Sequence, residues 1–405
     1  MARAPHSGDL GGSRGWSAGA LALAALLAAA AALVVLLLPT HAQRAPITLT
    51  APVGTTRTMP QVPTPHVHAW SAVVMDPATG VVLYAKAPDR RLPMASLTKI
   101  MTASLVLERT EDLDAYVTVP YAAIGQRGAK LGLSAGDQIT VRQLLLGLMV
   151  RSATDCAVTL ATAVAGDERH FVQLMNRRAA ALGLTNTHFV NASGVNVRGH
   201  YSSARDLSDL ARAAVRDPRF RELAKLVWAT VTWPPAHEVR LHSHNKLNER
   251  YDWVDGVKTG FTDGTGACLV ATGKYGARRL IVTTLNQPSR DQEVRDAVKL
   301  FEYGASRFAR RRIVRAGERV GELPLAGGGQ TTALTAGAGL ARVVRKGARV
   351  TTRLSVPASL AAPPAREEVV GYATFWADGV LLGSVPVRVE AAPELSLTST
   401  LPATP

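Results

Sequence analysis

Apolar positions change their spacing twice along the chain, and the changes mark its parts. Trp70-Ser71-Ala72-Val73-Val74-Met75, Asp76-Pro77-Ala78-Thr79-Gly80 and Val81-Val82-Leu83-Tyr84 predict strand, glycine-containing turn and strand. Helical spacing then dominates at 96–109, 140–150, 154–165, 168–182 and 204–215. Ala267–Lys274 and Arg279–Leu285 are strand-like across a glycine turn, and helix resumes at about 291–307. Strands at both ends of a helical middle predict one α+β unit over 69–310 rather than a doubly wound sheet. Beyond it, short Val-rich runs at 313–325, 340–345, 348–355, 367–376 and 380–389 are broken by Gly and Pro, and several alternate apolar with polar. They predict a small all-β domain over 311–391, followed by a polar, disordered tail at 392–405. No internal repeat is visible.

Ahead of the folded part, Ala18–Leu38 is an uncharged apolar run of 21 residues, preceded by Arg3 and Arg14 with only Asp9 against them. At 1.5 Å per residue the run is about 31 Å long, close to the hydrocarbon thickness of a bilayer. Cleavable signals carry shorter apolar regions, so the length favours an uncleaved anchor, although Thr40-His41-Ala42 offers a small-x-Ala cleavage site. Basic residues ahead of the run keep 1–17 in the cytoplasm and send the remainder out. Residues 39–68 hold six prolines, seven threonines and no acidic residue, which predicts an extended, solvated tether.

Composition adds limits. The 405 residues are 47% hydrophobic and 19% charged, enough for a real core and unlike a disordered chain. Two cysteines, Cys156 and Cys268, exclude a disulfide scaffold and a four-cysteine metal site. They read as buried packing thiols, with a mutual disulfide as the alternative. The 46 Lys+Arg against 31 Asp+Glu give a net +15, which ordinarily points to a polyanion. Export makes nucleic acid an unsuitable partner and turns attention to anionic wall polymer or lipid headgroups. A genome biased toward Arg codons accounts for the charge equally well.

Three short motifs carry candidate chemistry. In Ser96-Leu97-Thr98-Lys99, positions i and i+3 of a helix share a face, so hydroxyl and amine can meet. The amine can deprotonate the serine only when desolvation or a neighbouring cation lowers its pKa. Lys258-Thr259-Gly260 at a strand edge suits a peptide's terminal carboxylate: the cation neutralises it, the hydroxyl donates, and glycine admits the substrate backbone. Between them lies Ser152-Ala153-Thr154. Each motif alone is weak, and a helix-start serine followed by a surface lysine would explain the first equally well.

Taken in order, S-x-x-K, S-x-N and K-T-G form the signature of penicillin-binding proteins and serine β-lactamases. The segment Pro93–Ala103 resembles the nucleophile region of the low-molecular-mass penicillin-binding proteins, the serine-type D-alanyl-D-alanine carboxypeptidases. So do Tyr201–Leu207, Asn245-Lys246-Leu247, Val254–Thr262 and, in the distal β part, Val369-Val370-Gly371, Gly379 and Gly383-Ser384-Val385-Pro386. The resemblance covers about 70–390. It implies an α+β fold, a penicillin-binding-protein/β-lactamase-like transpeptidase domain followed by a small all-β domain.

The resemblance further implies that Ser96 attacks the penultimate D-Ala carbonyl of peptidoglycan stem peptides with Lys99 as general base, and that β-lactam antibiotics bind covalently. Ser152 and Lys258 return a proton to the departing D-Ala, Lys258, Thr259 and Gly260 hold the substrate, and backbone N–H groups of Ser96 and Phe261 form the oxyanion hole. No metal or other cofactor is implied. His242 and His244 lack acidic company and read as surface or hydrogen-bonded residues, and Asn191-Ala192-Ser193, though a glycosylation sequon by pattern, reads as a loop. The resemblance also places the chain outside the cytoplasm, at the bacterial cell membrane or wall through its N-terminal segment, or secreted if that segment is cleaved. One departure matters: Thr154 stands where the family has Asn, whose carboxamide touches both Lys and substrate. That keeps an inactive wall-binding homologue among the alternatives, beside a D,D-endopeptidase or a β-lactamase relative. A class A β-lactamase needs an added Glu, and no convincing E-x-x-x-N segment lies between the second and third motifs.

Overall fold

The computed structural model describes residues 47–50, 64–325, 331–360 and 368–389. The expected cytoplasmic N-terminus 1–17, the apolar run 18–38 and the tail 392–405 lie outside them. Among the described residues no helix is long and apolar enough to cross a membrane.

The first unit is built on a five-stranded antiparallel sheet ordered Val82–Lys86, Ser71–Met75, Arg278–Gln287, Gly266–Tyr275, Val254–Thr262. Its central strands read as near-continuous apolar runs because both faces are covered. On one face Ala72, Val74, Leu269, Ala271, Leu280 and Val282 pack against Val294, Ala297, Leu300 and Phe301 of the long helix Arg290–Arg307. The alternate residues Val73, Met75, Val270 and Ile281 join the other core, beneath the helical middle of the chain. Chain reversal at both ends therefore leaves Val254–Thr262 on the sheet's outer edge.

The helical middle follows the expected spacing. The segment at 96–109 divides into a 3₁₀ turn, Ala95–Thr98, and the α-helix Lys99–Arg109. Val141–Leu146 runs on into a wider π turn, Gly147–Arg151, that ends where Ser152 adopts a left-handed φ of +64°. The next helix, Thr154–Ala165, starts directly after it. Asp155 in its first turn accepts from the backbone N–H groups of Leu131 (3.0 Å), Gly132 (2.9 Å), Leu133 (3.3 Å) and Cys156 (2.9 Å). One buried carboxylate thus fixes the 127–133 loop against this helix.

A hairpin, Trp228–Trp233 with His237–His242, adds to the expected elements; its Thr230-Val231-Thr232-Trp233 alternation is a strand pattern that breaks off at the consecutive prolines of the turn. Cys156 and Cys268 are both free and buried. Burial pushes both thiols up, Cys268 to about 12, as befits packing thiols rather than reactive ones.

The second unit is all β. Phe308–Val314 follows the long helix directly and pairs with Leu340–Arg345, so strand begins at 308 rather than 311. The other strands form a six-stranded sheet ordered Ile47–Thr50, Val350–Val356, Val369–Ala377, Val380–Val389, Thr331–Ala336, Arg319–Pro324. Ile47–Thr50 belongs to the stretch expected as a solvated tether, yet it pairs antiparallel with Thr50 opposite Arg353 and Ile47 opposite Val356. The Ile-Thr-Leu-Thr alternation is itself a strand pattern, and it was masked by the surrounding Pro and Thr.

Replacing Asp155 by Ala strands several buried N–H donors at once, each costing about 1–3 kcal/mol. We expect Asp155→Ala to lower Tm by about 10 °C. A calorimetric change below about 2 °C would contradict this role.

Candidate active site

The elements above bring the three motifs to one cleft of about 550 Å³, lined by Ser96, Lys99, Ser152, Thr154, Thr259, Gly260 and Phe261 among others. Helical spacing brings Lys99 Nζ to 3.1 Å from Ser96 Oγ. The same amine donates to the Ser193 carbonyl at 2.5 Å. Lys99 is fully buried and its pKa falls to about 7, first through desolvation and then through repulsion from Lys258; Cys156 and Asp155 oppose the shift. A neutral amine beside a serine hydroxyl can act as a base near neutrality.

Two devices hold the nucleophile turn. Val190 N–H donates to His200 Nδ1 (3.1 Å), which leaves the ring proton on Nε2, facing Thr98 Oγ1 at 2.7 Å. Thr98 in turn donates to the Ala95 carbonyl at 2.8 Å. Burial, aided by His188 and Lys99, lowers His200 to about 4, so the relay stays neutral. The second device is the 191–195 loop. Asn191 Oδ1 accepts from the N–H groups of Ser193 (3.2 Å) and Gly194 (2.7 Å), and Asn191 Nδ2 donates to Val195 O (2.8 Å). The expected loop at Asn191-Ala192-Ser193 is therefore a braced one, and its Asn is spent internally. Gly194 has φ +85°, and a Cβ there would overlap the Ala95 carbonyl.

The strand Val254–Thr262 offers its free edge to the nucleophile turn. A Cβ on Gly260 would sit 3.1 Å from the Ser96 backbone nitrogen and 3.0 Å from the Met94 carbonyl oxygen. Glycine is what lets this edge run so close. Thr259 and Gly260 line the cleft, and Lys258 beside them is buried and donates to the Thr259 carbonyl at 3.1 Å. Desolvation, then Arg290, lowers Lys258 to about 7, while Glu293 pulls the other way. The Phe261 ring is 47% exposed at the mouth. The Ser152 hydroxyl is buried, lines the cleft and has no hydrogen-bond partner among the described residues, leaving it available to a bound group. Thr154 is also buried, and its Oγ1 would be 3.1 Å from a Cβ on Gly128.

Motif reading missed several participants. Arg290 lines the cleft, stacks 5.5 Å from the Phe261 ring centroid and bonds the His244 carbonyl at 3.4 Å. Its only sequence signal was the helix start after Ser289. His244 also lines the cleft, held neutral with a pKa of about 4 by burial and by Arg290 and Lys258. His242 turns elsewhere, to Glu249 Oε1 at 3.1 Å and onto the Trp228 ring. The Ser193 carbonyl, Gly194 and His200 carried no signal, because backbone atoms and single residues leave no pattern.

The arrangement, a serine with a desolvated amine beneath it and a sheet edge alongside, suits acyl transfer to the serine oxygen. Residues 56–289 match the D-alanyl-D-alanine carboxypeptidase family, peptidase S11, and the chain belongs to it. It is 29% identical over 330 residues to D-alanyl-D-alanine carboxypeptidase DacF of Bacillus subtilis, covering 80% of this chain and 85% of that one. With D-alanyl-D-alanine carboxypeptidase DacD of Escherichia coli it shares 35% over 272 residues, 64% of this chain and 68% of that one. The crystal structure of penicillin binding protein 5 from Haemophilus influenzae superposes with a TM-score of 0.66 at 28% identity, covering 82% of this chain and 98% of that one. The family and the fold are those the resemblance implied.

Gly194→Ala should be costly because the new Cβ meets a fixed carbonyl. We expect it to lower Tm by about 10 °C or more. Gly276→Ala, also at positive φ but with nothing within 4 Å, should cost only about 1 kcal/mol. Equal effects in a thermal melt would contradict the contact.

Proposed function

We propose that the protein is a serine D,D-carboxypeptidase that removes the terminal D-Ala from peptidoglycan stem peptides through an acyl-enzyme on Ser96. The observation that carries this reading is the buried, largely neutral Lys99 amine 3.1 Å from Ser96 Oγ, at the head of a cleft bounded by the edge strand. Lys99 takes the serine proton as Oγ attacks the penultimate D-Ala carbonyl. The oxyanion lies between the backbone N–H groups of Ser96 and Phe261, which needs the close approach that Gly260 allows. The peptide bond then breaks, and the leaving D-Ala amine receives its proton through the unpartnered Ser152 hydroxyl, with Lys258 behind it. Water releases the acyl group along the same proton path.

The Thr259 hydroxyl and the joint positive field of Lys258 and Arg290 hold the terminal carboxylate. β-Lactams enter by the same acylation. The substrate lies outside the cytoplasm, so the reading includes export, with 18–38 as an uncleaved membrane anchor and no nucleic-acid partner.

Thr154 supplies one hydroxyl where the family has a carboxamide, and Gly128, without a Cβ, leaves space beside it. We expect Thr154→Asn to raise the rate of acylation by fluorescent penicillin on the order of a hundredfold. In the same assay Ser96→Ala should remain folded and unlabelled. No gain in Thr154→Asn would mean that the site is tuned to the hydroxyl. Labelling of Ser96→Ala at another residue, found by peptide mapping, would sink the nucleophile assignment. Absence of labelling in the folded wild-type chain would favour the wall-binding alternative.

A further inference from the structure

Between 308 and 389 the sequence holds twelve Lys+Arg against five Asp+Glu. The excess is concentrated on the two-stranded ribbon Phe308–Val314/Leu340–Arg345 and the turn that follows Val314. Arg310 and Arg312 project from one face of the first strand and Arg311 from the other, and all three are exposed. Arg311 stands directly opposite Arg342 on the second strand, a like-charge pair that destabilises a sheet unless an anion lies close.

Two hollows adjoin the ribbon. Arg311, Arg312 and Arg315 line one of about 690 Å³, and Arg310, Arg312, Arg315 and Arg342 line the other, of about 500 Å³. Among the described residues none of these five arginines is in an ion pair. The nearby carboxylates are engaged elsewhere: Glu322 with Arg319, Asp378 with Arg345, and Glu318 with the Arg315 backbone N–H. Carbonyls orient two of the guanidinium groups, Ala348 O on Arg311 at 3.1 Å and Leu382 O on Arg342 at 2.8 Å. The ribbon is also rigidly mounted, since Val343 packs in the first unit's core while Val314 and Leu340 pack in the β core.

The geometry points to a docking surface for the phosphate headgroups of anionic lipid. Clusters of four to eight basic side chains near a bilayer recognise such headgroups. Lipid is favoured over soluble wall polymer by the chain's path. Ile47–Thr50 is a strand of the same β domain, and only the eight residues 39–46 separate it from the apolar run ending at Leu38. That connection spans at most about 30 Å, so an anchored chain keeps this domain beside the membrane. The inference rests on the uncleaved-anchor reading.

The test uses the full chain in nanodiscs of phosphatidylcholine, with and without phosphatidylglycerol. Arginine reactivity toward phenylglyoxal is followed by peptide mass spectrometry. Arg177, exposed on the helix Glu168–Ala181, serves as reference. Phosphatidylglycerol should slow modification of Arg310, Arg311, Arg312, Arg315 and Arg342 about fivefold, leave Arg177 unchanged, and lose its effect in about 1 M salt. The Arg310→Gln/Arg312→Gln/Arg315→Gln chain should hydrolyse a soluble D-Ala-D-Ala peptide normally yet lose the slowing at Arg311 and Arg342. Equal rates in the two discs would overturn the proposal. So would slowing by free poly(glycerol phosphate) but not by phosphatidylglycerol, which would assign the surface to wall polymer. A chain that fails to co-elute with either disc would overturn the anchor reading and this inference with it.

Discussion

Removing the Lys99 ammonium from water is the constraint on which the site depends. An exposed lysine is protonated at neutral pH and cannot accept a proton from serine. Full burial, with Lys258 as a second cation nearby, brings Lys99 down to about 7. Burying an amine is tolerable only where its remaining hydrogen-bond capacity is met. The Ser193 carbonyl and Ser96 Oγ meet it here, so the 191–195 loop is as necessary to the buried amine as the helix that carries Lys99.

That requirement propagates outward. The loop must lie against the nucleophile turn, which demands a glycine at 194 and uses Asn191 as an internal brace. The turn must not drift, so Thr98 and a neutral His200 hold the Ala95 carbonyl. Its other side is closed by the sheet edge at Gly260, and the sheet is held in place by apolar packing on both faces. The second cation is also desolvated, and Arg290 and Glu293 from the neighbouring helix pull its pKa in opposite directions. Lysine, loop carbonyl and edge strand form one electrostatic unit assembled from three distant stretches of chain.

Much of this was legible because motif residues are both chemically specific and closely spaced. Ser96 and Lys99 share a helix face by arithmetic, and the strands at 71–75, 266–275 and 278–287 announce themselves as apolar runs. The all-β character of the distal part followed from its alternation, although its first strand begins at Phe308 and Thr331–Ala336 went unseen among glycines and threonines. Contributions made by backbone atoms or by tertiary approach stayed hidden. The Ser193 carbonyl has no side-chain signature, Asp155 looks like any helix-start acid, and Arg290 reaches the cleft only because its helix packs on the strands Gly266–Tyr275 and Arg278–Gln287. Lys258, expected to hold the carboxylate, is buried and donates to the Thr259 carbonyl at 3.1 Å. Ile47–Thr50 was hidden by its Pro- and Thr-rich flanks until its partner strand was known.

The central claim is that burial, not a side-chain relay, makes Lys99 a base at neutral pH. The most direct measurement is the pH dependence of the acylation rate of the wild-type chain by a chromogenic β-lactam, followed by stopped-flow between about pH 5 and 10. The rate should rise through an apparent pKa near 7 as Lys99 loses its proton, then fall as Lys258 loses its own, the two values belonging to the coupled pair. A rate that keeps rising to a midpoint near 10, the value of an exposed lysine, would contradict it.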